Sequence, residues 1–180
     1  MAKRILDPTG QGNKVAEPQA KLSDRPRSLD GIRIGLLDNT KHNAGLFLKQ
    51  IGQALEEKYS AKVSRFEVKH NFSVPVDEDT ITRFKDDCDV VITAIGDCGS
   101  CSAAAVADGI TFERAGMPAA VVLTDAFEVT GRTMAKVHGD PQYTWVTTHH
   151  PVAVLSEEQV GQRAAEVLPE IVLHLTEGAV

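Results

Sequence analysis

The sequence is 180 residues long, with 42% hydrophobic, 24% charged and 5% aromatic side chains and a net charge of −6 at pH 7. This acidic balance argues against a nucleic-acid partner, because proteins that bind a phosphate backbone normally present a basic surface. The sequence contains neither the run of about 20 apolar residues that a membrane span needs nor the apolar core of a secretory signal. We therefore expect a cytoplasmic protein with no membrane partner.

Residues 1–30 are rich in Pro, Gly, Gln, Lys and Asp and show no sustained apolar periodicity. We predict that they form an extended or flexible N-terminal arm, which lies against the rest of the chain or against a neighbouring subunit. Residues 31–180 have the length and periodicity of a single α/β domain.

From residue 32 onward, short strand patterns alternate with helical patterns. The predicted strands cover residues 32–37, 62–68, 90–95, 119–123 and 143–147. The predicted helices cover about residues 46–59, 77–87, 103–114, 129–137 and 156–175, the last with a capping box formed by Ser156 and Gln159. This alternation predicts a flavodoxin-like three-layer sandwich with a mostly parallel sheet of about five strands. A thioredoxin-type fold, with Pro151 facing the cysteines, is the alternative.

Polar residues cluster where the predicted strands end. Ligands of open parallel sheets bind outside the carboxyl ends of the strands, so these residues are candidates for contact with a small-molecule substrate. The candidate substrate-binding residues are Asp38, Asn39, Gly96, Asp97, Gly99, Ser100, Ser102 and Asp125. Three of the six histidines, at positions 70, 138 and 174, are expected at the surface.

Cys98 and Cys101 lie between the buried strand pattern and a helix N-terminus. A helix N-terminus stabilises a thiolate and lowers its pKa, and two cysteines in one helical turn can form a readily reversed disulfide. Gly96 and Gly99 permit a tight turn there. Three cysteines, an odd number, without an export signal predict reduced thiols and no disulfide framework. The plainer interpretation is that the pair only packs the helix against the sheet.

His149 and His150 follow the last predicted strand, and either is a candidate general base. Adjacent residues of an extended segment point in opposite directions, so at most one faces the cysteines. Cys98, Cys101 and one histidine, such as His149, also supply three ligands for a transition metal with an open position for water. Asp97 would raise the pKa of a neighbouring thiol unless its side chain points away.

The segment Asp97–Ser102 resembles the UGSC family, which is named for a selenocysteine–Gly–Ser–Cys motif and has many members with Cys in the first position. Cys98 stands in the selenocysteine position and Cys101 is the second motif residue. Residues 6–10 (LDPTG) and 149–151 (HHP) also look like the family pattern. The loop is similar as well to the selenocysteine–Gly–Thr–Cys loop of glycine reductase subunits. The claw of nitrile hydratases is a poorer match, since it needs Cys where Ala103 stands.

The resemblance implies a type of chemistry, because a position that accepts selenocysteine suits a low-pKa nucleophile or a redox-active atom. It singles out Cys98 as the attacking atom and leaves Cys101 as the resolving or second-ligand residue. Our first hypothesis is a thiol enzyme in which Cys101 resolves the intermediate as a disulfide, His149 or His150 handles protons and a thiol reductant is a partner. A metal-dependent lyase or hydratase and a non-catalytic subunit of a larger enzyme are the alternatives. We expect a homo- or hetero-oligomer; no cofactor other than a transition metal is indicated.

Overall fold

The structure, a computed structural model, describes residues 22–177. In these residues five β-strands alternate with five α-helices, and one turn of 3-10 helix covers Asp125–Phe127. The strands are β1 (Arg33–Asp38), β2 (Lys62–Val68), β3 (Val90–Gly96), β4 (Ala119–Thr124) and β5 (Val146–Thr148). The helices are α1 (Ala44–Tyr59), α2 (Glu78–Asp87), α3 (Gly99–Arg114), α4 (Glu128–Val137) and α5 (Glu157–Thr176).

The five strands form one parallel sheet in the order β2-β1-β3-β4-β5. This is the flavodoxin-like order, so the predicted fold is confirmed and the thioredoxin-type alternative is wrong. β3 lies at the centre of the sheet and is buried along its whole length, as its β-branched sequence predicts. The strand order reverses between β1 and β3, and a crevice at the carboxyl ends of such a pair is where this class of sheet binds ligands.

Helices cover both faces of the sheet. α1 and α5 pack against each other on one face, and α2, α3 and α4 lie on the other. α3 is buried from Cys101 to Glu113 with few interruptions, because it lies between the sheet and α4. The cysteine motif therefore begins a helix that is held by packing along most of its length.

Two element boundaries differ from the prediction. α3 begins at Gly99 rather than near residue 103, because the Cys98 side chain caps the helix and starts it one turn earlier. β5 covers Val146–Thr148 rather than 143–147. The residues before it, Tyr143 and Trp145, are buried in the second core cluster and do not pair with β4. The capping box of Ser156 and Gln159 is present at the start of α5.

His174 is buried, contrary to its predicted surface position, because it lies on the side of α5 that faces the N-terminal segment. Burial, with a smaller contribution from the charge of Arg25, lowers the pKa of His174 to about 4. The imidazole therefore stays neutral at physiological pH.

Part of the predicted arm is described, and it lies against the domain. The Arg25 guanidinium donates two hydrogen bonds to the Glu113 carboxylate, both at 2.7 Å, and the side chains are only 7% and 1% exposed. The N–H groups of Ser23 and Ala119 also donate to Glu113. This network fastens residues 23–25 to the end of α3 and the start of β4. Residues 1–21, which include the segment 6–10 quoted above, lie outside the described residues.

None of the helices formed by residues 22–177 is long and apolar enough to span a bilayer.

We predict that Arg25→Ala lowers the free energy of unfolding by about 3–5 kcal/mol, because it leaves the buried Glu113 charge without its partner. Urea unfolding followed by the fluorescence of Trp145, the single tryptophan, measures this change. Arg33→Ala is the matched control. It breaks the exposed Arg33–Asp89 pair and should leave the unfolding midpoint almost unchanged. Equal effects of the two substitutions would contradict the prediction.

Candidate functional site

The two cysteines of the motif are in direct contact at the end of β3. Cys98 is the N-cap residue of α3, and its sulfur accepts the Cys101 N–H at 3.3 Å. The two Sγ atoms lie 2.7 Å apart, and both residues are free cysteines. Cys101 is fully buried, whereas Cys98 is partly exposed. Only one thiol of the pair is therefore open to a molecule from solvent.

The environment of Cys98 favours its thiolate. Partial burial opposes ionisation, but hydrogen bonds from the Cys101 thiol, the Cys101 N–H and the Ser100 hydroxyl outweigh it. The positive charge of Lys41 acts in the same direction. Together they lower the pKa of Cys98 below the ordinary thiol value. Each of these groups lies where negative charge on sulfur is stabilised, as expected for a reactive cysteine.

The environment of Cys101 has the opposite effect. Burial, followed by its hydrogen bond to Cys98 and the charge of that sulfur, raises the pKa of Cys101 to about 12. The N–H of Asp97, which donates to the Cys101 sulfur at 3.1 Å, opposes this shift only in part. Cys101 therefore rests as a thiol that can donate its proton to a Cys98 thiolate.

The carboxylate of Asp97 points away from the thiols and into the chain that follows β5. It accepts the N–H of Val152 at 3.1 Å and the N–H of Ala153 at 2.8 Å. It also lies 2.8 Å from Nδ1 of His150 and is 1% exposed. The negative charge is thus directed to two backbone N–H groups and the His150 ring of the 150–153 segment, and away from the Cys98 sulfur, whose pKa is lowered.

The side chains of the adjacent histidines contact different carboxylates, although the Asp125 carboxylate also accepts the N–H of His150 at 3.0 Å. His149 is 80% exposed, and its Nδ1 lies 3.1 Å from the Asp125 carboxylate. His150 is 37% exposed and contacts Asp97, with its ring edge-on to that of Phe127 at a centroid distance of 5.4 Å. Of the two histidines, only His150 contacts Asp97, and the N–H of Asp97 donates to the Cys101 sulfur.

The proposed metal ligands do not come together. Within residues 22–177, no group of three His, Cys, Asp or Glu side chains is placed to hold a metal ion. His149 pairs with Asp125, while Cys98 and Cys101 contact each other. The set Cys98, Cys101 and His149 therefore does not fit a transition metal in this arrangement.

Asp38, the last residue of β1, and Asn39, which follows it, form hydrogen bonds within the fold. Asn39 is buried, and its side-chain amide donates to the carbonyl of Ile95 at 3.0 Å, which ties the loop after β1 to the end of β3. The Asp38 carboxylate accepts the N–H of Thr40 at 2.7 Å. Burial raises the pKa of Asp38 despite this hydrogen bond. Asn39 thus holds the loop after β1 against the end of β3, and little of its side chain is accessible to a substrate.

The small residues of the motif divide into buried and open positions. A Cβ at Gly96 would lie 2.1 Å from the Leu123 side chain and 3.1 Å from Cα of Ser102, so only glycine fits there. Ser102 is fully buried, and its hydroxyl has no hydrogen-bond partner among the described residues. Gly99 and Ser100 are exposed, and a Cβ at Gly99 would meet nothing within 4 Å. The open space beside Cys98 is therefore next to Gly99 and Ser100.

Two residues near the site were not among the predicted site residues. Lys41 directly follows the turn after β1 and contributes positive charge to Cys98. Thr124, the last residue of β4, is buried and lies 3.2 Å from Nδ1 of His150. Lys41 lies in the loop after β1, and Thr124 ends β4. Their positions at the carboxyl ends of strands could have added them to the predicted site residues.

The loop that follows β2 lies close to Lys41. Lys41 Nζ lies 5.8 Å from the centre of the Phe72 ring. The buried Asp108 carboxylate holds this loop at both ends, through the Lys69 ammonium and the N–H of Val76. A cavity of about 210 Å³ lies between this loop and α2, and Cys98 and Cys101 do not line it. The cysteine pair therefore lies outside this cavity.

The fold and the site together define a flavodoxin-like α/β protein with a Cys-x-x-Cys pair at the topological switch point of its sheet. The chain belongs to the UGSC family, whose model matches residues 4–177, so the predicted resemblance is confirmed. No curated protein sequence matches the chain. The crystal structure of a diflavin flavoprotein A3 from Nostoc sp. is similar, with a TM-score of 0.42 and 9% sequence identity over 83% of this chain and 99% of that chain.

We predict that iodoacetamide alkylates Cys98 with an apparent pKa below the ordinary thiol value of about 8.5, while Cys101 reacts slowly over the same range. Mass spectrometry of the modified peptides at several pH values measures both rates. Lys41→Gln should raise the apparent pKa of Cys98, since it removes a positive charge. Lys62→Gln, at the opposite edge of the sheet, is the control. An apparent pKa of 8.5 or higher for Cys98 would contradict the geometry described here.

Proposed function

We propose that the protein is a cysteine-dependent enzyme that carries out thiol-redox or nucleophilic chemistry on a small molecule at the loop Cys98–Cys101. The observation that carries the proposal is the direct contact between a partly exposed thiol of lowered pKa and a buried thiol of raised pKa. An attacking thiol must be ionised and accessible, whereas a resolving thiol needs only to reach the first sulfur. The two cysteines meet these different needs.

The proposed reaction proceeds in two steps on a substrate X–Y. The Cys98 thiolate attacks X, so that an S–X bond forms while Y leaves with the bonding electron pair and takes a proton. Cys101 then loses its proton and attacks the Cys98 sulfur, so that the disulfide forms while X leaves with the electron pair and takes a second proton. The substrate gains two electrons and two protons, and a thiol reductant returns the disulfide to the dithiol.

The raised pKa of Cys101 is compatible with the second step. Part of the shift comes from the hydrogen bond to Cys98 and from the negative charge of that sulfur. Once the Cys98 sulfur is bonded to the substrate, its charge is gone and this part of the shift disappears. Cys101 therefore becomes easier to ionise at the stage where it must attack.

The proposal places the protein in the cytoplasm, where thiols are kept reduced. Its partners would be the small-molecule substrate and a thiol reductant, together with a second copy or another subunit. The metal-dependent lyase or hydratase receives no support from residues 22–177, which bring no three ligands together. A non-catalytic role would instead predict that a stoichiometric second chain co-purifies from the native host.

Reaction of the reduced protein with glutathione disulfide tests the proposal. The wild type should form the Cys98–Cys101 disulfide and keep no glutathione, whereas Cys101→Ser should retain glutathione on Cys98, because no second thiol resolves the adduct. Cys98→Ser should react only at the background rate. Intact-protein mass spectrometry distinguishes the three products.

Cys88→Ala is the matched control, since Cys88 is buried in a separate core cluster and burial raises its pKa to about 11. It should behave as the wild type. The proposal would be overturned if Cys98→Ser and Cys101→Ser both reacted with glutathione disulfide as the wild type does.

A further inference from the structure

The two edges of the sheet differ in what they offer to another strand. β5, at one edge, has only three residues, and so short a strand presents few unpaired backbone groups. β2, at the other edge, has seven residues and no proline. Among residues 22–177, β1 is the only strand that pairs with β2. In this part of the chain β2 is therefore the edge that can accept a further strand.

The backbone of β2 presents unpaired groups on its outer side. The N–H of Lys69, directly after the strand, donates to a carbonyl of β1. Since the backbone groups of successive residues in a strand point alternately to its two sides, the N–H and C=O groups of Phe66 and Val68 point away from β1. Near the start of the strand, the N–H of Val63 is bonded to the Glu56 carboxylate. The accessible part of the edge thus includes Phe66 and Val68.

The same edge carries exposed apolar side chains. Phe66 is 37% exposed and Val68 is 51% exposed. The loop that follows β2 adds Phe72 and Val74, so four of the eight exposed large apolar side chains in the described part of the chain lie between residues 66 and 74. A cluster of this kind marks a contact with another molecule more often than isolated apolar side chains do.

The charged side chains of β2 are balanced and complementary to themselves. Arg65 and Glu67, which alternate with Phe66, lie 3.1 Å apart and also pair with Asp87 and Arg83 of α2. If two copies of β2 pair in antiparallel fashion about a two-fold axis at Phe66, Arg65 of each copy faces Glu67 of the other. An axis at residue 65 or 67 would instead place like charges opposite each other, which is destabilising. The charges therefore favour the axis at Phe66.

We propose that β2 is a dimer interface, which pairs with β2 of a second copy of this chain about a two-fold axis at Phe66. In this arrangement the N–H of Phe66 in each copy donates to the C=O of Phe66 in the other, and the two aromatic rings lie opposite each other on one face. Two Arg65–Glu67 pairs form on the other face. The two five-stranded sheets join into one. The inference concerns assembly and does not depend on the cysteine reaction.

A residue at a two-fold axis faces its own copy, and this property gives a specific test. Sedimentation equilibrium of the full chain should give twice the chain mass for the wild type. Phe66→Lys alone and Phe66→Glu alone should each lose the dimer, because like charges meet at the axis. An equimolar mixture of the two variants should regain a 1:1 dimer, because opposite charges then meet there. Native mass spectrometry identifies the mixed species.

Val129→Lys and Val129→Glu are the matched controls, since Val129 is 80% exposed on α4, and both should remain dimeric. Circular dichroism checks that every variant is folded. Amide hydrogen exchange at Phe66 and Val68 should be slow in the wild type and fast in Phe66→Lys.

A monomeric wild type at its highest soluble concentration overturns the inference, and slow exchange at Phe66 in that monomer would show that the chain covers its own edge. A dimeric Phe66→Lys variant, or a mixture no more dimeric than its components, also overturns it. Alkylation of Cys98 is measured separately, so the proposed function and this interface can fail independently.

Discussion

The buried carboxylate of Asp97 is the interaction on which the candidate site depends. A buried charge is costly unless donors surround it, and Asp97 obtains two backbone N–H donors and a close contact with the His150 ring from residues 150–153, more than fifty positions away in the chain. This requirement draws the chain after β5 onto the end of β3. It brings the His149–Pro151 segment beside the cysteine loop, although the two belong to different strands of the sheet.

The different properties of the two thiols follow from their depth in the first turn of α3. Cys98 occupies the N-cap, where its sulfur takes the place of the serine or aspartate oxygen that usually accepts a first-turn N–H. Cys101, one turn further, lies under the helix and against the sheet. One short motif therefore yields a thiol of lowered pKa and a thiol of raised pKa. The cap hydrogen bond couples the helix terminus to the charge of Cys98, so a reaction at this sulfur also changes how the helix begins.

The order and type of the elements were predictable because each depends on local periodicity: β3 is a continuous apolar run, and α5 begins with its own capping box. The first turn of α3 was missed because its start depends on a sulfur cap that propensity does not describe. The partners of Asp97 and the contact of Thr124 with His150 were not predictable, since both require knowing that the end of β4 and the chain after β5 lie next to the end of β3. Sequence reasoning thus found the strand ends but not which side chains pair across them.

The lowered pKa of Cys98 also bears on the sulfur-for-selenium difference within the UGSC family. A selenol ionises more readily than a thiol, so a selenocysteine in this position would need little help from its surroundings. A cysteine needs donors and positive charge to reach a comparable state, and Cys98 receives them from Cys101, Ser100 and Lys41. The Cys101 thiol is the largest of these favourable contributions. The second motif cysteine therefore has a use before any disulfide forms: it stabilises the charge on the first.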